Sequence, residues 1–244
     1  MQSKIEQKII GFAGVVGSGK TSCVKCLLGE LGKRRGYYPD YCVTTYGSLY
    51  EQRDNVPSFS IDDSWFVGIQ AKQYNFADTL KDVLKLLFGV TDEQLYHNKQ
   101  DRIDIKFEDI VHLLSYKSQV QLRDEIAAGE YLTVRDLLEY FGTGIIRSID
   151  NDIFCKRLKE RIVREKQKYV LIGDVRFANE VQIIQDMGGI VIFLNRGEIK
   201  HQSEQGLMDI EFDYTINSKV LTLEETFKEV IWCAEDNGFF EGIK

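Results

Sequence analysis

Gly14-Val15-Val16-Gly17-Ser18-Gly19-Lys20-Thr21 is the stretch on which the reading of this chain turns. It satisfies G-x-x-x-x-G-K-[ST] at every fixed position. The pattern carries weight only between a strand and a helix, and both flanks comply. Ile9 to Ala13 is a short apolar run that reads as a buried strand. From Lys20 onward, Val24, Leu27, Leu28 and Leu31 fall at i, i+3, i+4 and i+7, one face of a helix, with Gly32 as its expected stop. Glycines let the backbone curl so that successive N–H groups point at phosphate oxygens. The helix N-terminus adds a favourable dipole. Lys20 is expected to neutralise the β- and γ-phosphates and the Thr21 hydroxyl to ligate Mg²⁺. Gly14, Val16, Gly17, Ser18, Gly19, Lys20 and Thr21 are therefore candidate ATP-binding residues.

Outward from that loop, the second half reads β-α-β-loop-β-α. Tyr169 to Ile172 is a strand followed by Gly173-Asp174. A helix (Phe177 to Met187), a strand (Ile190 to Leu194), a polar segment, a short strand (Tyr214 to Asn217) and a last helix (Leu223 to Glu235) complete it. Strands alternating with helices predict an α/β chain with the three-layer P-loop NTPase fold, a parallel sheet flanked by helices. Between the halves lies a largely helical insertion. One helix runs from about Ala77 to Phe88 and ends at Gly89. Residues 92–130 read as mostly helical and polar. Thr133 is placed to cap a helix with Val134, Leu137, Leu138 and Phe141 on its core face, closed by Gly142, and another helix covers Asp152 to Glu165. Residues 33–74 hold both prolines and read as a hairpin or irregular insertion. The expectation is one continuous domain over 1–244, with a core at about 9–31 and 168–235 and an acceptor-binding region at about 75–165.

Composition narrows the ligand. The formal charge is −7 over 244 residues, whereas proteins that grip long phosphate backbones present basic surfaces. That balance favours a small phosphate-bearing ligand over nucleic acid. The start, Met1 to Lys8, is too polar for a signal peptide. The longest apolar stretch, Ile9 to Val16, is too short to span a bilayer, so a cytoplasmic protein with no membrane partner is expected. Five scattered cysteines form no disulfide framework. Cys23 and Cys26 spell C-x-x-C but sit on the helix after the phosphate loop, as small packing residues. Asn98-Lys99-Gln100-Asp101 spells the guanine-reading N-K-x-D, but it precedes the second strand, and Asp174-Val175-Arg176-Phe177 lacks the glycine of a GTPase switch. Lys99 and Arg102 remain candidates as positive charge near an acceptor.

Asp174 follows a buried strand, at the end where open parallel sheets form their ligand crevice. It is a candidate for holding Mg²⁺ or its waters, and Arg176 faces the same crevice. A phosphate acceptor is already close to dianionic, its second pKa being about 6. It needs cations to offset repulsion between two anions more than it needs a base. Lys81, Arg135, Arg147, Arg176 and Arg196 all lie at helix or strand ends, where such clamps can sit.

Taken together these pieces resemble the deoxynucleoside monophosphate kinases of tailed bacteriophages. The resemblance rests on the phosphate loop, Phe76-Ala77-Asp78-Thr79-Leu80-Lys81-Asp82, Thr133-Val134-Arg135-Asp136-Leu137-Leu138 leading to Gly142-Thr143, Gly173-Asp174-Val175-Arg176-Phe177-Ala178-Asn179-Glu180, His201-Gln202-Ser203-Glu204, and Asp213-Tyr214-Thr215-Ile216-Asn217. It covers the chain except roughly 33–74. It implies ATP- and Mg²⁺-dependent conversion of dNMP to dNDP by a homodimer, in the host cytoplasm if phage-encoded. It carries Lys81, Arg135, Arg147, Asp174 and Arg176 over as acceptor-side or phosphate-clamping residues, with Lys20, Arg135, Asp174 and Arg176 catalytic. Arg196 to Glu204 fall in a lid over ATP, and Asn217 near adenine. Four positions depart from the family pattern: Glu139 for Gln, Gly144 for an acid, Phe154 for Trp, Ala178 for Pro. Glu139 and Phe154 fall where base or sugar would lie, so Glu139 is expected to favour dGMP and Phe154 to disfavour ribose. Two other classes share the phosphate loop: a kinase of another small phosphorylated acceptor, dephospho-coenzyme A kinase-like, and a non-transferring ATPase or switch module.

Overall fold

The computed structural model describes residues 7–44, 47–53, 56–113, 131–196, 207 and 210–243. They form two compact units, Met1–Asn75 with Leu158–Lys244, and Phe76–Arg157.

The first unit is built on a five-stranded sheet of β1 (Lys8–Gly14), β5 (Ala71–Tyr74), β8 (Tyr169–Val175), β9 (Ile190–Leu194) and β10 (Tyr214–Ile216). The spatial order is β10-β9-β1-β8-β5 and every pairing is parallel. Parallel sheets are covered on both faces, so their strands read as unbroken apolar runs; β1 is buried from Ile9 to Gly14. Helices α1 (Lys20–Arg34) and α9 (Leu223–Asp236) cover one face, where Ile10, Phe12, Leu171 and Ile192 share a core with Val24, Leu27, Leu31, Val230 and Cys233. Helix α8 (Ala178–Asp186) covers the other face so closely that a Cβ on Gly11 would lie 2.6 Å from Ile184 Cδ1. After β1 the chain moves to the β5 edge, returns to β8, then crosses to β9 on the far side of β1. The carboxyl end of β1 therefore lies at a topological switch point, where such sheets bind ligands.

One reading at the end of α1 changes. Gly32 does not stop the helix, which continues to Arg34 and closes with the Arg35 amide on Leu31 O, 3.1 Å. Instead Gly29 and Gly32 lack side chains where the rings of Tyr41 and Tyr38 press against α1; a Cβ at either position would collide with the ring. Strands β2 (Tyr41–Val43), β3 (Leu49–Arg53) and β4 (Val56–Ser60) form an antiparallel sheet, in keeping with the hairpin among the two readings of this segment. The edge strand β5, which joins the parallel sheet, also lies inside the stretch expected to be a hairpin or irregular insertion. It is only four residues long, with only Ala71 and Tyr74 fully buried, so its periodic signal is weak.

The second unit contains α2 (Asp78–Phe88), closed by Gly89 at φ 65, and α3 (Asp92–Tyr96), opened by a Thr91–Gln94 capping box. Residues 92–130, expected to be mostly helical, include a strand, β6 (Arg102–Lys106), which pairs antiparallel with β7 (Tyr131–Thr133); residues 114–130 lie outside the described residues. Exposure alternates along Arg102-Ile103-Asp104-Ile105-Lys106 with period two, the mark of a half-buried strand. A one-turn helix α4 (Phe107–Ile110) follows β6. Helix α5 (Val134–Glu139) does not close at Gly142. It widens into a π-helical segment, Tyr140–Ile146, and runs into α6 (Arg147–Ile149). Helix α7 (Ile153–Glu165) then joins the second unit to the first. No helix among the described residues is long and apolar enough to cross a membrane.

Candidate active site

The phosphate loop joins β1 to α1 through three glycines that need their missing side chains. Gly14, Gly17 and Gly19 have φ of 145, 79 and 96, and a Cβ on Gly14 would lie 2.6 Å from Leu194 O. Gly17 has nothing within 4 Å of where a Cβ would be, so its side of the loop is open. Lys20 is 8% exposed and folds back across the loop, donating to Gly14 O at 2.6 Å and Val15 O at 2.8 Å. Ser18 Oγ is buried and makes no hydrogen bond among the described residues. Amides at the opening of α1, an orphaned hydroxyl and an ammonium on one turn form a cradle that fits a phosphate chain. Thr21, the next residue, is exposed.

The strand ends add charge to the same unit. Strand β8 does not stop at Ile172. It carries one extra residue relative to β1, since Gly11 pairs with Ile172 but Ala13 with Val175. Such a bulge re-aims side chains, and Asp174 stands on it, half-buried. Glu180, 2% exposed, anchors the turn that follows: its Oε2 accepts from Arg176 N at 2.8 Å and Phe177 N at 3.2 Å. The Arg176 backbone is thus fixed while its side chain is exposed. Past β9, Arg196 Nη1 lies 3.8 Å from the position of a Cβ on Gly19, over the phosphate loop. Of the expected lid, Gly197 to Glu204, including His201, lies outside the described residues. Asn217 is exposed at the end of β10, in a loop tied to β9 by Asn195 N to Ile216 O at 2.9 Å and Lys219 N to Asn195 O at 3.1 Å. Thr21 and Asp174 are oxygen donors suited to a hard cation. No group of three or more His, Cys, Asp or Glu among the described residues could hold a metal, so a magnesium ion would need the phosphates of its nucleotide as further ligands.

In the second unit, α5 opens with the expected cap: Thr133 Oγ1 accepts from Asp136 N at 3.2 Å, and Asp136 Oδ2 accepts from Thr133 N at 2.8 Å. The N-K-x-D segment is a turn beside that helix, not part of one. Lys99 O accepts from Arg135 N at 2.8 Å and Asp101 O from Val134 N at 3.0 Å. Arg135 and Glu139 are exposed on α5, and Arg102 is exposed at the start of β6. The Lys81 ammonium sits 3.9 Å from the Tyr96 ring centroid, a cation–π contact. Gly142 is buried against Leu80, its missing Cβ 2.7 Å from Leu80 Cδ2, and Thr143 beside it is exposed. The π-helical segment carries both, a geometry that recurs at functional sites. Phe154 is 5% exposed, with the Arg147 guanidinium 5.0 Å over its ring. Arg147 Nη1 also donates to Asn151 O at 3.1 Å. Phe154 is thus the plate on which Arg147 rests.

Sequence reasoning missed two features. The bulge has no local signature, although Gly173-Asp174 at a strand end is a hint. Glu180, a polar residue buried at a helix start, was quoted only as part of a motif. Cys23 and Cys26 are both buried, as packing residues would be, and burial pushes the Cys26 thiol up to about 12 and Cys23 still further.

Residues 69–229 match the family model described as deoxynucleotide monophosphate kinase. The phosphate loop lies outside that matched range, so it testifies independently. The chain is also 29% identical over 197 residues to a protein of Acanthamoeba polyphaga mimivirus named "Putative deoxynucleotide monophosphate kinase", the match covering 73% of this chain and 88% of that protein.

Proposed function

The chain belongs to the deoxynucleotide monophosphate kinase family of phosphotransferases, and on that premise we propose that it moves the γ-phosphoryl group of ATP onto a deoxynucleoside 5′-monophosphate. The observation that carries the ATP half is the cradle: three positive-φ glycines, the buried Ser18 hydroxyl without a partner among the described residues, and Lys20 parked on its own loop carbonyls. Lys20 exchanges those carbonyls for β- and γ-phosphate oxygens when nucleotide enters. Arg196, over Gly19, holds the same phosphates from the other side, and Asn217 with its loop meets the adenine. Thr21 and Asp174 hold Mg²⁺, which when bound offsets charge on the phosphates.

In transfer, an oxygen of the acceptor phosphate forms a bond to the γ-phosphorus, the bond from that phosphorus to the bridging oxygen breaks, and ADP leaves. The transition state spreads charge over the moving group, so stabilisation falls to fixed cations. We assign this to Lys20, Arg135 and Arg176, with Asp174 holding the metal. Lys81, Lys99, Arg102 and Arg147 serve the acceptor phosphate and sugar, and Glu139, Gly142, Thr143 and Phe154 the nucleoside. The homodimer and the cytoplasmic setting belong to the same reading.

A coupled ADP-release assay with a panel of dNMPs, NMPs and no acceptor tests it. Turnover is expected with at least one dNMP and to be negligible without acceptor. ATP turnover that ignores every monophosphate would refute the proposal.

A further inference from the structure

We propose that Tyr96, at the end of α3, is a positioning residue for Lys81: its ring seats the ammonium that meets the acceptor phosphate. This rests on the reading of Lys81 as an acceptor-side cation. Tyr96 lies in none of the motifs quoted above, and the family match assigns it no role.

Helix α3 is short but held at both ends. The Thr91–Gln94 capping box opens it, and the amides of His97 and Asn98 both close on Glu93 O, at 2.9 and 3.0 Å. Leu95 is fully buried and anchors it. Tyr96, the next residue, is 48% exposed, so its ring serves the core little. The ring face instead meets Lys81 Nζ, 3.9 Å from the centroid. That is well inside the reach of about 6 Å over which a ring attracts a cation.

A lysine has a flexible four-carbon stem and loses rotamer freedom when its ammonium is held. The ring orders Lys81 before an acceptor arrives. It covers one side of an ammonium that carries three N–H donors, so Lys81 can meet a phosphate oxygen without leaving Tyr96. The ring is also neutral. Lys85, one turn along α2, shows the alternative: it is drawn to Asp82 at 3.3 Å and Asp92 at 3.0 Å, whose charges offset its own. An aromatic seat holds a cation without offsetting it. The segment beyond Tyr96 ties this seat to a second acceptor-side cation. It turns at Asn98, whose O accepts from Asp101 N at 3.0 Å. Lys99 O and Asp101 O then accept from Arg135 N at 2.8 Å and Val134 N at 3.0 Å. The N-K-x-D stretch thus links the residue under Lys81 to the helix start that carries Arg135.

The test is steady-state kinetics with dGMP, dTMP and dCMP each as acceptor, on Tyr96→Leu, Tyr96→Phe, Lys81→Met and the Tyr96→Leu/Lys81→Met double variant. Tyr96→Leu should raise KM for the acceptor about 2- to 5-fold, the worth of an exposed cation–π contact, with KM for ATP unchanged. Tyr96→Phe keeps the ring face and should match wild type. Lys81→Met should raise the acceptor KM by itself. In that background Tyr96→Leu should add nothing, a coupling that a merely structural ring would not show. Should Tyr96→Leu fail to fold, phenylalanines carrying successively more fluorine, incorporated at 96, keep the shape and weaken the negative face of the ring. The acceptor KM should then climb with each step. An unchanged or lower acceptor KM in Tyr96→Leu, a flat fluorine series, or an equal rise with and without Lys81 overturns the inference. Lys81→Met with a wild-type acceptor KM overturns it at its premise and leaves the proposed reaction standing. Absence of turnover with every deoxynucleotide sinks the reaction itself, and the failures are distinct.

Discussion

Replacing Lys20 with alanine separates what this side chain does for the fold from what it does for the reaction. The residue is 8% exposed and its ammonium donates to Gly14 O at 2.6 Å and Val15 O at 2.8 Å. Charge-assisted bonds of this kind contribute about 1.5–3 kcal/mol each, but water entering the vacated space recovers part, leaving a net loss of about 2 kcal/mol. In a chain of 244 residues that lowers Tm by about 4–8 °C. Turnover should fall much further. Removing a donor aimed at transition-state charge reduces kcat by about 100- to 1,000-fold, roughly 3–4 kcal/mol. Differential scanning fluorimetry and the coupled ADP-release assay read the two effects on the same preparation. Lys20→Arg is the sharper control: it keeps the charge, but a rigid fork replaces a point donor. A small melting shift with activity still lost would show that geometry counts as well as charge. The reasoning fails if Lys20→Ala keeps more than about one-tenth of wild-type kcat, a barrier change under about 1.4 kcal/mol. It also fails if the loss of activity merely follows loss of fold.

Glu180→Ala strands the Arg176 and Phe177 amides and should cost about 2 kcal/mol of stability; urea denaturation checks it, and Glu180→Gln, which keeps an acceptor, should recover part. Phe154→Ala removes the plate under Arg147 and should raise KM for the acceptor several-fold with little change in KM for ATP; parallel changes in both would contradict a role confined to the acceptor. Glu139→Gln should lower dGMP turnover relative to dTMP and dCMP, and an unchanged ratio across the panel would dismiss the base-reading role. Burial pushes the Glu165 carboxyl up, but bonds from Lys72, Tyr74 and Arg161 outweigh it and hold its pKa at about 2, below the 4.5 of a free glutamate. A depressed carboxylate stabilises the fold above its unfolded pKa, and that contribution fades as pH falls from about 4.5 through 2. With solvent screening it is about 1 kcal/mol. Urea melts should therefore show the gap between wild type and Glu165→Gln narrowing from pH 7 to pH 3, and a constant gap would refute the assignment.

What could be read from the sequence was what neighbouring residues decide together. The phosphate loop is eight consecutive positions whose strand, turn and helix lie within one short span, and its geometry follows from where the glycines are. The Thr133 cap is equally local, three residues from its partner Asp136. Features that depend on distant partners were hidden. The β8 bulge exists only relative to the register of β1, more than 150 residues away in sequence, and nothing in Ile172-Gly173-Asp174-Val175 alone requires it. The missing side chain at Gly142, inside the π-helical segment, answers to Leu80 on another helix. Arg147 and Phe154 each looked like separate ligand contacts, and only their packing shows that one supports the other.

Gly29 and Gly32 show how such a partner can be inferred even so. Glycine inside a helix costs about 1 kcal/mol relative to alanine, and α1 carries two, three residues apart on one face, beyond the helix end they seemed to mark. Treating Gly32 as a stop explained one and left the other unexplained. A pair at that spacing instead indicates that another element approaches the backbone closely. The only aromatic-rich segment nearby in sequence is the Tyr37-Tyr38-Pro39-Asp40-Tyr41 run that follows. Burying two tyrosine rings against the helix offsets the helical cost several times over. Those rings also seat the hairpin on α1, and a Cβ on Gly47 in its turn would lie 3.5 Å from Thr21 Cγ2. The stretch that read as a hairpin or irregular insertion is therefore coupled, through two glycines, to the helix that follows the phosphate loop.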